Sequence, residues 1–490
     1  ELDLRIAGAA PSTWDPAAAG DVGSASTLAQ VFEGLTAFDA NSQAQPALAQ
    51  SWSVEQGGRR IVFRLRPGLQ FSDGSSLTAE DVVSSWLRLL DPRRRSPLAS
   101  LLDDVAGAVA YGRWEAPAER VGLRAEGDRV VVDLRRPASY FVSVTASPSL
   151  AVVPADTGSG IATKELPRGL VASGAYRPTA QTKTTIRLEA NPHYWAGQPP
   201  LRRIEVVTDL EGRSPVDVFA AEDLDYTAIS SADASWIRYD RTLGPQLRRV
   251  ESFSVTYYGF DTTRRPFDDP RARRAFAQAV DWHRLVRLAD PESTPATSLV
   301  PPGVPGRSAT DFTPRHDPAA ARQELAAAGF PGGRNFPEVT LVSSGSPYDE
   351  GVVHELKQVL GVTVRLEVMP FEAYFERLET EVPAFWNLAW VADYPAPQDF
   401  LGLLAETGSS NNYGRWSNRS YDDAVAAAAQ TTALAEQQRQ YDAAQAILRD
   451  DAGLVPVSYG QGWALSSPDL LGANQSGVGF IRLAGLAWAP

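Results

Sequence analysis

The segment FRLRPGLQFSDGSSLTAEDVV, residues 63–83, predicts a strand, a tight turn and a capped helix in direct succession. Apolar residues alternate around its start, as in a half-buried strand, at Ile61, Phe63 and Leu65. Thr78 is predicted to be a helix N-cap, because Asp81 follows three residues later in a variant of the capping box. A strand followed at once by a helix favours a mixed α/β chain.

Similar patterns continue outward from this segment. Period-two strand patterns occur in RVVVDLR (129–135), TTIRLEA (184–190) and VTVRLEV (362–368). A second helix is predicted to begin at Asp269-Pro270 and to run through Leu288. Two more helices are predicted between Ser420 and Asp450. This mixture predicts an α/β or α+β protein of several lobes.

The composition limits the classes of function. The chain has 490 residues, which suggests several domains at about 150 residues each. Its formal net charge is −13, and an acidic chain lacks the positive surface that nucleic acids and anionic membranes attract. Cysteine is absent, which excludes disulfides, thiolate catalysis and cysteine-bound zinc. No run of about eighteen apolar residues occurs, so no membrane-spanning segment is predicted.

No catalytic motif stands out in the sequence. The chain contains no P-loop, no GxGxxG sequence after a strand and no GxSxG elbow. The glycines at 158–160 and Gly174 lack the downstream helix and lysine of a phosphate site, so they are interpreted as loops. Adjacent acidic pairs such as Asp103-Asp104 are interpreted as solvated helix ends. The chain is therefore predicted not to be an enzyme, with no cofactor and no metal.

A set of phrases spread along the whole chain carries a resemblance to a known family. The phrases are FEGLTAFD (32–39), PALAQSW (46–52), the segment 63–83, LDP (90–92), SGAY (173–176), NPHYWAGQPPLRRIEV (191–206), YYGFDTTRRPFDDPRARRAFAQAVD (257–281), VPPGVPG (300–306) and WVADYPAPQDFL (390–401). In order and spacing they resemble the extracellular solute-binding proteins of family 5, which are the dipeptide- and oligopeptide-binding components of ABC importers. The resemblance spans nearly the full length.

This resemblance implies a large two-lobed α/β fold like that of periplasmic binding proteins, with two hinge crossings. The expected core of lobe I is 1–32, 147–258 and 460–490, with an extra subdomain at 33–146, and lobe II is 259–459. The implied function is to capture a peptide in a cleft between the lobes, to close on it by a hinge motion, and to deliver it to a membrane permease and its ATPases. The protein is expected to be a monomer.

The ligand-binding residues that the resemblance implies centre on Asp393. In peptide-binding relatives the matching aspartate pairs with the α-ammonium group of the ligand. A carboxylate fixed at a strand end in a dry cleft is chemically suited to that role. The alternative is that Asp393 caps the loop through its own backbone. Trp390 is expected to line a pocket for a ligand side chain, and the alternative is a place in the core.

The resemblance implies further contacts elsewhere in the chain. These candidates are Asp21, Val22 and Gly23 in an extended piece that pairs with the ligand main chain, Tyr257 and Tyr258 where the chain crosses between lobes, and Asn412 and Tyr459 at less exact matches. One position departs from some oligopeptide binders, because Asn387 stands where they carry an arginine for the ligand carboxylate. Arg377 and Arg415 are the alternatives for that role.

Two other classes of function stay open. A related family member would bind an oligosaccharide by stacking it on tryptophan, and the chain has 12 tryptophans. An enzyme or a signalling receptor on the same scaffold is the second class. Glu1 is not an initiator methionine, and the absence of cysteine together with the resemblance to transporter components implies export, with a removed signal and a lipid anchor expected. The expected location is extracytoplasmic, in the periplasm or on the outer face of the cytoplasmic membrane.

Overall fold

The structure is a computed structural model that describes residues 3–39, 41–473, 477–479 and 481–490. Its helices are, in chain order, α1 (Val22–Val31), α2 (Ala79–Leu90), α3 (Ala108–Gly112), α4 (Phe141–Val144), α5 (Pro215–Ala220), α6 (Ser231–Ile237), α7 (Pro270–Ala279), α8 (Trp282–Ala289), α9 (Pro318–Ala327), α10 (Asp349–Leu360), α11 (Phe371–Thr380), α12 (Pro397–Ala405), α13 (Arg419–Gln430) and α14 (Leu434–Asp451). Its strands are β1 (Leu4–Ala7), β2 (Thr36–Phe38), β3 (Ala44–Pro46), β4 (Ala49–Glu55), β5 (Arg60–Leu65), β6 (Leu123–Glu126), β7 (Arg129–Asp133), β8 (Tyr176–Gln181), β9 (Thr185–Ala190), β10 (Arg203–Val207), β11 (Tyr226–Ile229), β12 (Leu247–Val250), β13 (Ser254–Phe260), β14 (Thr294–Pro295), β15 (Val339–Ser343), β16 (Val364–Val368), β17 (Phe385–Val391), β18 (Leu454–Tyr459), β19 (Gly462–Ser466), β20 (Leu470–Leu471) and β21 (Ala487–Trp488).

The chain divides into two compact units. Unit 1 comprises Glu1–Glu251 and Gly462–Pro490, and unit 2 comprises Ser252–Gln461. The chain passes between them near residues 251 and 461, whereas the expected crossings were near 258 and 459. The first crossing is earlier because β13 pairs along its length with β17 and β18, which makes it a strand of unit 2.

Unit 1 is built on a mixed seven-stranded sheet in the order β12-β19-β11-β1-β10-β9-β8. The short strand β1 is parallel to both β10 and β11, and its Leu4 and Ile6 join the buried core together with Leu28 and Val31 of α1. A separate four-stranded antiparallel sheet has the order β4-β5-β7-β6. This sheet lies within the expected extra subdomain, whose status as a subdomain stays a prediction.

The strand and the capped helix predicted for residues 63–83 are confirmed. Ile61, Phe63 and Leu65 of β5 are all buried. Helix α2 begins directly after Thr78, whose backbone amide donates to the Asp81 carboxylate at 2.8 Å. The helix then buries one apolar face against the neighbouring strands. Such tertiary packing supplies most of the stability of helices in proteins.

Unit 2 is built on a six-stranded sheet in the order β14-β18-β13-β17-β15-β16. Strand β15 is parallel to β16 and β17, whereas β13 is antiparallel to β17 and β18. One face of the sheet packs on helices through an aromatic cluster in which Phe260 and Phe385 stack with ring centroids 5.2 Å apart. This packing fixes β17, which leads into the candidate site.

One predicted helix is wrong in length. The helix that starts at Asp269-Pro270 ends at Ala279, and α8 begins after Asp281. The reason is that the Asp281 side chain accepts from the Arg284 amide at 3.0 Å and caps a new helix. The two helices predicted between 420 and 450 are confirmed as α13 and α14.

Two features are absent from the described ranges. No helix there is long and apolar enough to cross a membrane. Within the same residues, no group of three or more histidine, aspartate or glutamate side chains is arranged to hold a metal ion.

Candidate functional site

The candidate site lies at the carboxyl end of β17 (Phe385–Val391). This strand runs between β13 and β15, and its first four residues are buried. Its pairing with β13 ends at the pair formed by Val391 and Ser254. Pro395 and Pro397 follow, and because proline has no amide hydrogen the chain cannot continue as a paired strand. Carboxyl ends of strands in open α/β sheets are the usual place for ligands.

Asp399, in the first turn of α12, holds the loop that follows β17. Its Oδ2 accepts a hydrogen bond from Trp390 Nε1 at 2.8 Å, and its Oδ1 accepts from the backbone amides of Asp393 (3.2 Å) and Tyr394 (3.3 Å). Its side chain is fully buried. Asp399 was not among the residues predicted from the sequence, although an acidic residue just after a helix-starting proline is a recognisable first-turn signal.

Asp393 is half-buried, and in the described part of the chain no hydrogen bond or ion pair joins its carboxylate to another side chain. Burial raises the pKa of Asp393 to about 6. Burial, and then the charge of Asp393, raises the pKa of Asp399 well above its usual range. Two neighbouring carboxylates without a cation disfavour their own ionisation, and a positive group placed beside Asp393 would relieve this.

The expectation for Trp390 stays a prediction. Its ring is half-buried, so it is neither a full member of the core nor a free surface side chain. The bond from its indole nitrogen to Asp399 fixes the direction of the ring. A tryptophan held in this way by Asp399 offers a rigid apolar face to a neighbouring group.

Tyr257 and Tyr258 lie on opposite faces of β13 and are both fully buried. The Tyr258 hydroxyl donates to Asp349 Oδ1 at 2.7 Å, as does Asn387 Nδ2 at 2.5 Å. The Tyr257 ring packs edge-on against Trp386, and its hydroxyl has no partner among the described residues. Their contact with a ligand stays a prediction, and this burial favours a packing role.

Asn412 and Tyr459 use their polar atoms on nearby backbone. The Asn412 amide group donates to the Trp416 carbonyl at 2.7 Å and accepts from the Trp416 amide at 3.1 Å. The Tyr459 hydroxyl accepts from the Ser298 amide at 2.8 Å and donates to the Ser298 carbonyl at 2.8 Å. Both side chains are buried and hold loops of unit 2 in place. Their ligand role stays a prediction without support from these contacts.

The predicted extended piece at Asp21, Val22 and Gly23 is wrong beyond its first residue. Only Asp21 is extended, and Val22 and Gly23 form the first turn of α1. The reason is that Asp21 Oδ1 accepts from the Ser24 amide at 2.7 Å and so caps the helix. Although burial opposes it, hydrogen bonds from Ser24 and Ser12 hold the pKa of Asp21 below its usual value. Ligand contact by these residues stays a prediction.

The ligand carboxylate has no assigned partner in unit 2. Asn387 is buried and bonded to Asp349, so it is part of the core. Of the two alternatives, Arg377 Nη1 pairs with Glu367 Oε1 at 2.9 Å. Arg415 is exposed and adopts a positive φ of 54°. The exposed guanidinium of Arg415 is therefore the freer of the two cations, and the assignment stays open.

Comparison with known proteins supplies the family. A family model for bacterial extracellular solute-binding proteins, family 5 (middle region), matches residues 43–412. The probable deoxycholate-binding periplasmic protein YgiS of Escherichia coli (strain K12) is 30% identical over 468 residues, which cover 92% of this chain and 86% of that protein. The dipeptide-binding protein DppE of Bacillus subtilis (strain 168) is 26% identical, with 96% of this chain and 89% of that protein covered.

Solved structures show the same fold. The Escherichia coli murein tripeptide binding protein MppA matches with a TM-score of 0.80 and 25% identity, over 99% of this chain and 98% of that chain. The fold class expected from the sequence is therefore confirmed. With the family model matching well over half of its length, the chain belongs to the bacterial extracellular solute-binding proteins of family 5.

Proposed function

We propose that this protein is the substrate-binding component of an ABC importer and that it captures peptides through their free amino terminus. Two relatives support the peptide class, because their names describe a dipeptide-binding and a murein tripeptide binding protein. Its work is selection and delivery to a membrane permease and its ATPases, without bond making. An extracytoplasmic location, attachment by a lipid anchor and a monomeric state belong to the same proposal.

The Asp393 carboxylate is the observation that carries the proposal. It belongs to a half-buried residue just after a strand that is fixed in the sheet, and it has no positive partner in the part of the chain that the structure describes. A peptide ammonium group would supply the missing cation through a charge-assisted hydrogen bond. The loop bonds of Asp399 leave this carboxylate free for a ligand, since the loop does not need Asp393 to hold it.

A second candidate ligand comes from the relative named as probably deoxycholate-binding. Deoxycholate is an amphipathic carboxylate and brings a negative charge. Placed beside Asp393 and Asp399 it would add a third negative group. The raised pKa values of both aspartates show that negative charge is already disfavoured there. The candidate site therefore favours a cation-bearing ligand over an anionic one. An oligosaccharide is neutral, and the binding test described next distinguishes it from a peptide and from deoxycholate.

The test measures binding of four defined compounds to the purified protein by calorimetry and native mass spectrometry. The compounds are trialanine, N-acetyl-trialanine, deoxycholate and maltotriose. We expect trialanine to bind more tightly than its acetylated form, because acetylation removes the cation that Asp393 would pair with. Binding of deoxycholate or maltotriose without binding of trialanine would overturn the peptide assignment. Equal binding of both peptides would overturn the role of the ammonium group.

A further inference from the structure

Asp399 carries a buried carboxylate. Capture of a peptide by Asp393 alone does not explain why this second carboxylate is present. It is fully buried at the first turn of α12, and its two oxygens accept from one indole and two backbone amides. No cation pairs with it among the residues that the structure describes. Burying a carboxylate is costly, so its presence here calls for a specific reason.

A neutral side chain of the same shape would not make the same contacts. An asparagine has one acceptor oxygen, and its amide nitrogen can only donate. One of the three donors, either the Trp390 indole or the amides of Asp393 and Tyr394, would then face another donor. A carboxylate accepts all three, and because its Oδ1 lies 3.2 Å from the Asp393 backbone nitrogen, it also places a second acidic group next to that residue.

Helices α13 and α14 pack against α12, and they bond to it through neutral hydroxyl groups. On α13, the Tyr421 hydroxyl donates to the Leu401 carbonyl at 2.7 Å, and burial raises the pKa of this tyrosine well above its usual range. On α14, the Tyr441 hydroxyl bonds to Gln398 Oε1 at 3.2 Å. Asp393 is thus the charged group that acts on Asp399.

We propose that Asp399 is the positioning residue of the ammonium site and that its carboxylate and that of Asp393 ionise as a coupled pair, so that a cationic ligand binds in exchange for a proton. This inference rests on the proposed function. In the free protein the two carboxylates carry fewer than two negative charges, because each disfavours ionisation of the other. The ligand cation stabilises the ionised pair, and the displaced proton passes to the buffer. Throughout this exchange, Asp399 holds Trp390 and the Asp393 backbone in place through its hydrogen bonds.

The first experiment is calorimetry of trialanine binding at pH 7.5 in two buffers with different enthalpies of ionisation, which gives the number of protons released. A group with a pKa of about 6 is nearly all ionised at pH 7.5, so Asp393 alone would release almost none. The peptide amine titrates equally with wild-type protein and with Asp399→Asn. We expect the wild type to release several tenths of a proton more than the variant does.

The matched control is Asp261→Asn, since Asp261 is also buried and its carboxylate also caps a turn, at the Thr263 amide (3.0 Å). The Asp261 amide donates to the carbonyl of Ala384, which directly precedes β17. Nine extended residues separate Ala384 from Asp393, so Asp261 lies about 30 Å from that site. This control should bind trialanine with the wild-type proton count. Equal proton counts in wild type and Asp399→Asn would overturn the coupled pair.

A second measurement needs no variant at Asp399. The indole N–H signal of Trp390, assigned by its loss in Trp390→Phe, should titrate with Asp399 because the two groups are bonded. We expect the midpoint of the free protein to move to a lower pH when trialanine is bound. A signal that does not move between pH 4.5 and 8.5 would overturn the inference even if Asp399→Asn does not fold. If trialanine fails to bind, the proposed function fails, and the titration of the free protein still tests the pair.

Discussion

Replacing Asp393 by asparagine tests the proposed site most directly, because Asp393→Asn keeps the shape of the side chain and removes its charge. The side chain bonds to no other described side chain, so the substitution leaves no internal partner unsatisfied. The loop should stay in place, since Asp399 bonds to the backbone amides of residues 393 and 394 rather than to the side chain. The effect should therefore appear in binding and not in folding.

The magnitude follows from the partial exposure of Asp393. A fully buried charge that loses its partner costs about 3–5 kcal/mol, whereas a hydrogen bond to a charged group contributes about 1.5–3 kcal/mol. The lower range applies here because Asp393 is only half-buried. A loss of about 1.5–3 kcal/mol corresponds to a Kd for trialanine that is roughly 10- to 150-fold weaker.

The assay is a calorimetric cycle with two proteins and two ligands. Trialanine and N-acetyl-trialanine are titrated into wild type and Asp393→Asn, and the coupling free energy is the difference between the two effects of the mutation. Asp423→Asn is the matched control, since Asp423 is an exposed carboxylate of the same unit and its loss changes the net charge equally. If the mutation weakens both ligands equally, Asp393 does not contact the ammonium group.

Two further predictions concern pH and packing. The affinity for trialanine should fall about tenfold per pH unit below pH 6, because the ligand cation needs the ionised form of Asp393, whose pKa in the free protein is about 6. Calorimetry from pH 4.5 to 7 measures this affinity, and an affinity that does not change with pH would contradict the prediction. Tyr258→Phe should lower the free energy of unfolding by about 1–3 kcal/mol, since it removes a donor from the buried Asp349. Tyr257→Phe should be within about 1 kcal/mol of wild type, because its buried hydroxyl bonds to no described residue. Urea unfolding compares the two tyrosines, and equal losses would show that the hydrogen bond to Asp349 is not the source.

Much of the fold could be predicted because local patterns and global packing agree. The segment around Thr78 combines a strand, a turn and a capped helix, and each element buries the face that its spacing predicts. The error at Asp281 arose because an aspartate inside a helical pattern has two possible roles. It can lie on the solvent face of a continuing helix or cap a new one, and the choice depends on how the following helix packs.

The candidate site was harder to predict than the fold. Family resemblance pointed to Asp393, and the structure places that carboxylate at a strand end without a partner among the described side chains. The same resemblance pointed to Asn412 and Tyr459, whose polar atoms are used on nearby backbone. A polar residue near a binding region is the same residue type in the sequence whether its side chain contacts a ligand or hydrogen-bonds to the backbone of a loop. Only the hydrogen-bond partners separate the two cases.

Asp399 shows why sequence reasoning stops short of the chemistry of this site. In sequence it is an acidic residue in the first turn of a helix, a position where a negative charge is common and usually solvated. In the fold it is fully buried, six residues after Asp393 and bonded to the backbone of that residue. A site that appeared to have one carboxylate therefore has two. Because the second lies out of contact with solvent, it can change how the first ionises without itself touching a ligand.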